Sequence, residues 1–165
     1  MEPITGKAWK YGDDVNTDVI FPGKYTYTLT DPAEMAKVAM EDIDPDFAPN
    51  VQKNDIIVAG RNFGCGSSRE QGATVLVYAG VGAVVARSFS RLFFRNAINA
   101  GLPLVQSDEA VDALEKGHEV TVDVENGKVI TPGGTFEFPP LPAAVIGIFE
   151  DGGLIPHTRK ALGLD

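Results

Sequence analysis

The chain has 165 residues and a mass of 17.6 kDa, enough to bury a core of its own, and 44% apolar with 22% charged residues are the proportions of a soluble globular domain. A net charge of −9 and an isoelectric point near 4.6 exclude the nucleic-acid-binding classes, whose targets select basic surfaces, but leave room for a small anion at a locally positive site. No apolar run approaches the roughly 20 residues that span a bilayer, MEPITGKAWKYGDD does not read as a signal peptide, and the single cysteine, Cys65, cannot close an internal disulfide, so a reducing cytoplasm is the expected location.

In chain order, Gly6 to Tyr11 reads as a short strand carrying Ala8 and Trp9, followed by a polar turn over Gly12 to Asn16. Thr17-Asp18-Val19-Ile20-Phe21 comes next and is ended by Pro22-Gly23, a turn signal. Lys24 to Thr30 has little periodicity and reads as a loop. Asp31-Pro32 predicts a helix start, with the aspartate as N-cap and Met35, Val38 and Ala39 at helical spacing, fading by Asp42. Asp44 to Pro49 reads as irregular. Ile56 to Ala59 is a β-branched run typical of a buried strand, and it leads into a glycine-rich loop, Gly60 to Gly66. A helix is predicted from Ser67 to about Ala79, a buried strand over Val81 to Ala86, and a helix from Arg91 to Ala100 stopped by Gly101 and Pro103. Leu104-Val105 predicts a short strand and Asp108 to Lys116 a helix closed by Gly117. Val120 to Val124 alternates at period two, and Asn126-Gly127 then turns it into Lys128-Val129-Ile130, a β-hairpin. Phe136 to Phe138 adds a strand before a proline-rich run, and the tail from Ala161 reads as peripheral. No internal repeat or linker divides the chain.

The chemistry concentrates in Asn62-Phe63-Gly64-Cys65-Gly66-Ser67-Ser68-Arg69-Glu70. Gly64 and Gly66 free the backbone and let a ligand come close to it. A helix beginning at Ser67 would aim unpaired N–H groups and a partial positive charge at that space. Arg69, within its first turn, would offer a bidentate clamp for a carboxylate, and a serine alkoxide beside it would be stabilised by the same donors. Ser67 and Glu70 also have the spacing of a capping box. Capping accounts for those two residues. It does not account for the glycines at 60, 64 and 66, or for Arg61 and Asn62 in the same loop. A nucleotide-binding loop fits less well, because no lysine follows as in a P-loop and the G-x-G-x-x-G spacing is absent.

Three separated stretches carry a resemblance to a known family. NFGCGSSRE (Asn62 to Glu70) resembles the signature of the small subunits of 3-isopropylmalate dehydratase and homoaconitase and of the swivelling domain of aconitase. Asn16 to Pro22 is similar to that family's D-T-D-x-I-x-P. Ser88-Phe89-Ser90-Arg91 through Arg95-Asn96 to Gly101-Leu102-Pro103 is similar to its S-F-A/S-R, R-N and G-L-P segments, and Gly152-Gly153-Leu154 continues the likeness. The resemblance implies an α/β fold, one compact swivelling β/β/α domain over residues 1–165 with a mixed sheet or partly open barrel flanked by helices.

It also implies roles, position by position. Ser67 matches the base that, as an alkoxide, removes a proton from the carbon next to a carboxylate. Arg69 matches an arginine that binds a substrate carboxylate, Ser68 its helper, and Asp18 an acidic member of the charge network. Asn62, Gly64, Cys65 and Gly66 form the loop around them. By itself Asp18 reads equally as a turn or cap aspartate, and helix packing accounts for Arg95 and Asn96. Gln71 stands where many relatives have histidine, and Asn16 replaces a common aspartate. An iron–sulfur cluster needs three or four thiolates and this chain has one, so no metal is expected here. The implied 4Fe-4S cluster, a Lewis acid towards the leaving hydroxyl, is assigned to a large partner subunit.

In similar small subunits the loop after the proline sorts substrates by their side group. An arginine there goes with the acidic group of homoaconitate. Tyr27 stands in its place here, favouring an apolar substituent such as that of isopropylmalate, while Lys24 keeps a cation near. The expected activity is the interconversion of 3- and 2-isopropylmalate in leucine biosynthesis by dehydration and rehydration. 2,3-Dimethylmalate dehydratase and homoaconitase small subunits are the alternatives. Two other classes compete with these: an anion-binding regulatory module, and a serine hydrolase that would need His118 or His157 as its base.

Overall fold

The computed structural model describes residues 1–164. Its strands are β1 (Ile4–Lys10), β2 (Ile56–Ala59), β3 (Ala83–Ala86), β4 (Leu104–Gln106), β5 (Glu119–Asp123), β6 (Lys128–Thr131) and β7 (Gly134–Glu137). They form one mixed sheet in the order β4-β3-β2-β1-β5-β6-β7, curled like half a barrel. β1 to β4 are mutually parallel, with Trp9 opposite Ile57, Val58 opposite Val85 and Val84 opposite Leu104. β1 also pairs antiparallel with β5, and β5, β6 and β7 continue as a meander.

Alternation along the strands divides the core in two. Ile57, Ala59, Val84 and Ala86 point to one face, with Phe21, Phe47, Phe63, Leu76 and Phe93. Ile56, Val58, Ala83 and Val85 point to the other, with Val120, Val122, Val129 and Phe149. Every residue of β2 and β3 is therefore buried, as a parallel sheet covered on both faces requires. β5 and β6 instead alternate buried and solvated positions, the pattern of a sheet covered on one face.

The helices are α1 (Thr17–Ile20), α2 (Pro32–Ala36), α3 (Phe47–Asn50), α4 (Gln71–Tyr78), α5 (Arg91–Ala100), α6 (Asp108–Ala113), α7 (Ala143–Glu150) and α8 (Leu154–Ala161). Asp31 caps α2 through Glu34 N, as expected, and Gly101 ends α5 in the left-handed conformation. Thr17 to Ile20 forms a helical turn capped by the Asn16 side chain. Other expectations need correction. The loop expected from Lys24 opens within a 3-10 turn, Gly23–Tyr25. Phe47 to Asn50, expected to be irregular, is helical because Phe47 is fully buried and folds the chain around itself. α7 and α8 have no counterpart in the sequence reading, for neither has a side-chain N-cap to announce it.

β1, β2 and β3 run in the same direction, so the segments leaving their carboxyl ends meet at one edge of the sheet. Asp14 N donates to Arg61 O at 2.8 Å, and Arg87 N to Gly60 O at 3.0 Å. Open parallel sheets place ligand sites at this end.

Candidate active site

The glycine-rich loop is held from both sides. Gly64 N donates to Val15 O at 2.8 Å, while its carbonyl accepts from Ser90 Oγ at 2.8 Å. Its φ is +82°, and a Cβ there would lie 2.2 Å from the Phe93 side chain, so the position tolerates only glycine. At Gly66, with φ +94°, a Cβ would lie 2.5 Å from the Asn16 amide. Thr17 N then donates to Cys65 O at 2.8 Å, completing a short parallel bridge between Asn16 and Cys65. This bridge carries Thr17 and Asp18 to Ser67 and Arg69, fifty residues further along the chain.

Ser67 is half-buried, with its Oγ between two partners. Thr17 Oγ1 lies 2.9 Å away and Arg69 Nε donates to it at 3.2 Å. Thr17 Oγ1 also lies 3.1 Å from the Ser67 carbonyl, to which it can donate. Arg69 is engaged on every side. One terminal nitrogen donates to Asp18 Oδ1 at 2.6 Å and to Phe21 O at 3.1 Å. The other donates to Thr26 Oγ1 and faces Gln71 Oε1 at 3.5 Å. Its guanidinium lies 6.0 Å from the Phe21 ring centroid. Gln71 Nε2 closes the cluster by donating to Thr26 O at 3.2 Å. The Asp18 side chain is 57% exposed against 20% for Arg69, so the carboxylate is the solvent-facing member of the pair.

This arrangement overturns one expectation and refines others. α4 begins at Gln71, not Ser67, and Glu70 caps it with no side-chain hydrogen bond, so the capping box does not form. The Ser67 hydroxyl is instead taken by Thr17 and Arg69, and Arg69 precedes the helix rather than lying within it. Asp18, Ser67 and Arg69 come together as one cluster. Ser68 lies beside it, exposed, its carbonyl accepting from Asn96 Nδ2 at 3.0 Å. Asn62 works as a fastener: at φ +58° its amide donates to Asp14 Oδ1 at 3.0 Å and its backbone to Ser88 Oγ at 2.8 Å. Lys24 is exposed, its ammonium 5.1 Å from the Tyr25 ring centroid, and Tyr27 is 94% exposed. Neither is drawn into the Arg69 cluster, although Thr26 between them is. Thr17, Thr26 and Gln71 were not singled out as site residues by sequence. The available signal was the place of Thr17, between Asn16 and Asp18 in the stretch similar to D-T-D-x-I-x-P.

His118 Nδ1 accepts from Glu115 N at 3.0 Å, and His157 Nδ1 lies 2.7 Å from Asp151 Oδ2. Neither is hydrogen-bonded to Ser67, so a histidine-activated hydrolase has no base in this arrangement. Cys65 is half-buried, and burial, with the Asp14 carboxylate as a lesser cause, pushes its thiol above the ordinary range. Among the described residues no group of three or more His, Cys, Asp and Glu side chains is placed to hold a metal ion. One thiol is too few for an iron–sulfur cluster, which takes three or four. Among the described residues, too, no helix is long and apolar enough to cross a membrane.

Known proteins resemble this chain over nearly its whole length. Residues 15–109 match the family model described as the aconitase C-terminal domain. A 3-isopropylmalate dehydratase small subunit from Caldicellulosiruptor bescii is 50% identical over 162 residues, covering 97% of each chain. A 3-isopropylmalate dehydratase small subunit 1 from Thermotoga maritima is 46% identical, covering 95% of each. The crystal structure of a 3-isopropylmalate dehydratase from Methanocaldococcus jannaschii superposes with a TM-score of 0.91 at 40% identity, over 99% of this chain and 97% of that one.

Proposed function

Because the chain belongs to the aconitase C-terminal domain family, among its 3-isopropylmalate dehydratase small subunits, we propose that residues 1–165 act as one swivelling unit that completes a hydro-lyase with a large subunit. The substrate is 3-isopropylmalate, interconverted with 2-isopropylmalate in leucine biosynthesis, and the enzyme works in the cytoplasm. The large subunit carries the 4Fe-4S cluster; the family likeness supports this, and the described residues here offer one thiol and no group placed to hold a metal.

The observation that carries the reading is the placement of Ser67 Oγ, 3.2 Å from the Arg69 guanidinium and 2.9 Å from the Thr17 hydroxyl. A serine is a useful base only as an alkoxide, and an adjacent fixed cation and hydroxyl donor favour that form. Ser67 Oγ takes the proton from the carbon next to a substrate carboxylate. The C–H pair becomes the new C=C bond as the neighbouring C–O bond breaks and the hydroxyl departs. Arg69 holds a carboxylate. Its donors are already engaged within the chain, so the substrate's carboxylate enters by replacing that of Asp18, one anion for another on the same guanidinium nitrogen. Tyr27 and Lys24, on the loop tied to Arg69 through Thr26, meet the substrate's variable group, and Ser68 assists Arg69.

The test combines this chain with a large subunit whose cluster has been reconstituted anaerobically. Formation of the unsaturated product is followed by absorbance from 3-isopropylmalate, citrate, homocitrate and 2,3-dimethylmalate. The expected result is turnover of 3-isopropylmalate only when both chains are present, falling at least about a thousandfold in Ser67→Ala. Turnover of another of these acids in preference would replace the substrate. Full activity in Ser67→Ala would remove the serine from the mechanism.

A further inference from the structure

We propose that Thr17 is a positioning residue for this reaction, its single hydroxyl hydrogen switching between the Ser67 carbonyl and the Ser67 hydroxyl oxygen as Ser67 loses and regains its proton. The inference rests on Ser67 being the base.

Thr17 is 1% exposed and is one of very few polar residues in the core. Its backbone is fixed by the hydrogen bond to Cys65 O, and its methyl group lies against α4, where a Cβ at Gly72 would come within 3.1 Å of Thr17 Cγ2. The side chain is thus set in one orientation, with Oγ1 facing two acceptors: the Ser67 carbonyl at 3.1 Å and Ser67 Oγ at 2.9 Å. A threonine hydroxyl has one hydrogen and two lone pairs. While Ser67 is neutral it donates to Thr17 Oγ1, and Thr17 donates to the Ser67 carbonyl. Once Ser67 is an alkoxide it has nothing to donate and needs donors. Rotation of the Thr17 O–H about its C–O bond turns its hydrogen to Ser67 Oγ, giving a second donor beside Arg69 Nε without moving a heavy atom. When the substrate's proton arrives on Ser67 Oγ, the hydrogens return to the first arrangement, and rehydration, which hands that proton back to a substrate carbon, restores the alkoxide. A preset donor of this kind favours the charged state with little reorganisation.

The charged and titratable groups near Ser67 are Arg69 from its own loop, Asp18 of α1 acting through Arg69, and Cys65 with Asp14 on the preceding turn. α4 presents Gln71, which does not ionise; α5 presents Asn96 and, in a groove shared with Asn62 and Gly66, the Arg91 guanidinium, while Glu70 lines the neighbouring groove with Asn96 and Leu154. Removing the Thr17 hydroxyl therefore leaves the charges in place and takes away one donor.

The experiment measures kcat and KM against pH for the assembled enzyme carrying Thr17→Val, Thr17→Ser or Ser67→Ala, with co-elution alongside the large subunit confirming assembly. Thr17→Val keeps the shape. It is expected to lower kcat roughly tenfold to a hundredfold, the effect of one hydrogen bond to a charged group, with KM within about twofold. The acid limb of the kcat profile should rise by about one pH unit, because the alkoxide is harder to form. Thr17→Ser, which restores the hydroxyl, should stay within about threefold of the unmodified enzyme. If Thr17→Val fails to assemble, Thr17→Cys replaces it with the same expectation, a thiol being a weak donor. An unshifted profile with undiminished kcat in Thr17→Val would overturn the proposal, and so would equal impairment in Thr17→Ser, which would reduce Thr17 to a packing group. Either result beside an inactive Ser67→Ala sinks Thr17 alone. An active Ser67→Ala sinks the serine base and this inference with it.

Discussion

At the scale of single residues the site is a set of exchanges between groups far apart in sequence. Arg69 is legible from sequence as a carboxylate clamp. What it holds in this structure is Asp18, Thr26, Gln71 and the Phe21 carbonyl, partners that local pattern does not name. Ser67 was legible both as a base and as a cap; the structure decides against the cap because Thr17 and Arg69 take its hydroxyl first. Cys65 sits in the same loop and invites a reactive or cluster-binding reading, but burial and Asp14 both push its thiol upward. We predict that iodoacetamide modifies Cys65 more slowly than a free peptide thiol at pH 8, and that the rate still climbs above pH 9 as thiolate forms. Asp14→Asn should speed the reaction at pH 8 by removing the lesser of the two causes. Peptide-like reactivity at pH 8 would refute that account of the thiol.

At the scale of elements, α5 does two jobs through one residue. Ser90 Oγ accepts from Phe93 N at 3.2 Å, capping the helix, and donates to Gly64 O at 2.8 Å, tying the helix to the loop. Ser90→Ala removes both bonds and should cost about 1–2 kcal/mol, read as a lower urea midpoint with an unchanged m-value. A stability within about 0.3 kcal/mol of the unmodified chain would mean that neither bond is needed. α5 also matched its expected span, because a polar cap, an apolar stripe and a terminal glycine are local signals that agree with one another. α7 lacked them. Val145, Ile146 and Ile148 are β-branched, Gly147 interrupts them and Pro142 offers no capping side chain. Its helical state is decided by packing: Val145, Ile146 and Phe149 reach the second core and the helix abuts α5.

At the scale of the whole molecule, β1 is the strand on which the two halves of the sheet turn. Ile4 to Lys7 pair antiparallel with β5, while Ala8 to Lys10 pair parallel with β2. Where β1 leaves β2, the Lys7 N–H has no strand partner on that side, and Asp55 supplies one. Asp55 is 5% exposed and accepts from Lys7 N at 3.1 Å, Trp9 Nε1 at 3.0 Å and Gln52 N at 2.9 Å. Asp55→Ala would strand these donors and should cost about 3 kcal/mol of global stability, measured by denaturant unfolding followed at Trp9. Asp55→Asn, which keeps an acceptor, should lose less. Equal losses in the two variants would show that the oxygen acceptors are not what holds the junction.

The sequence alone determined what depends on neighbours along the chain: the buried β-branched strands β2 and β3, the glycine-rich loop between β2 and α4, the bounds of α5, and the hairpin at Asn126-Gly127. Motif likeness further pointed to Asp18, Ser67 and Arg69. Only the tertiary structure decided how those three meet, because the Asn16–Cys65 bridge joins segments fifty residues apart and its hydrogen bonds are backbone groups that leave no trace in residue type. The same is true of where α4 begins, of Thr17 as the partner of Ser67, and of α7 and α8. In each case a group with several local options is settled by a competitor or a packing surface supplied from elsewhere in the chain.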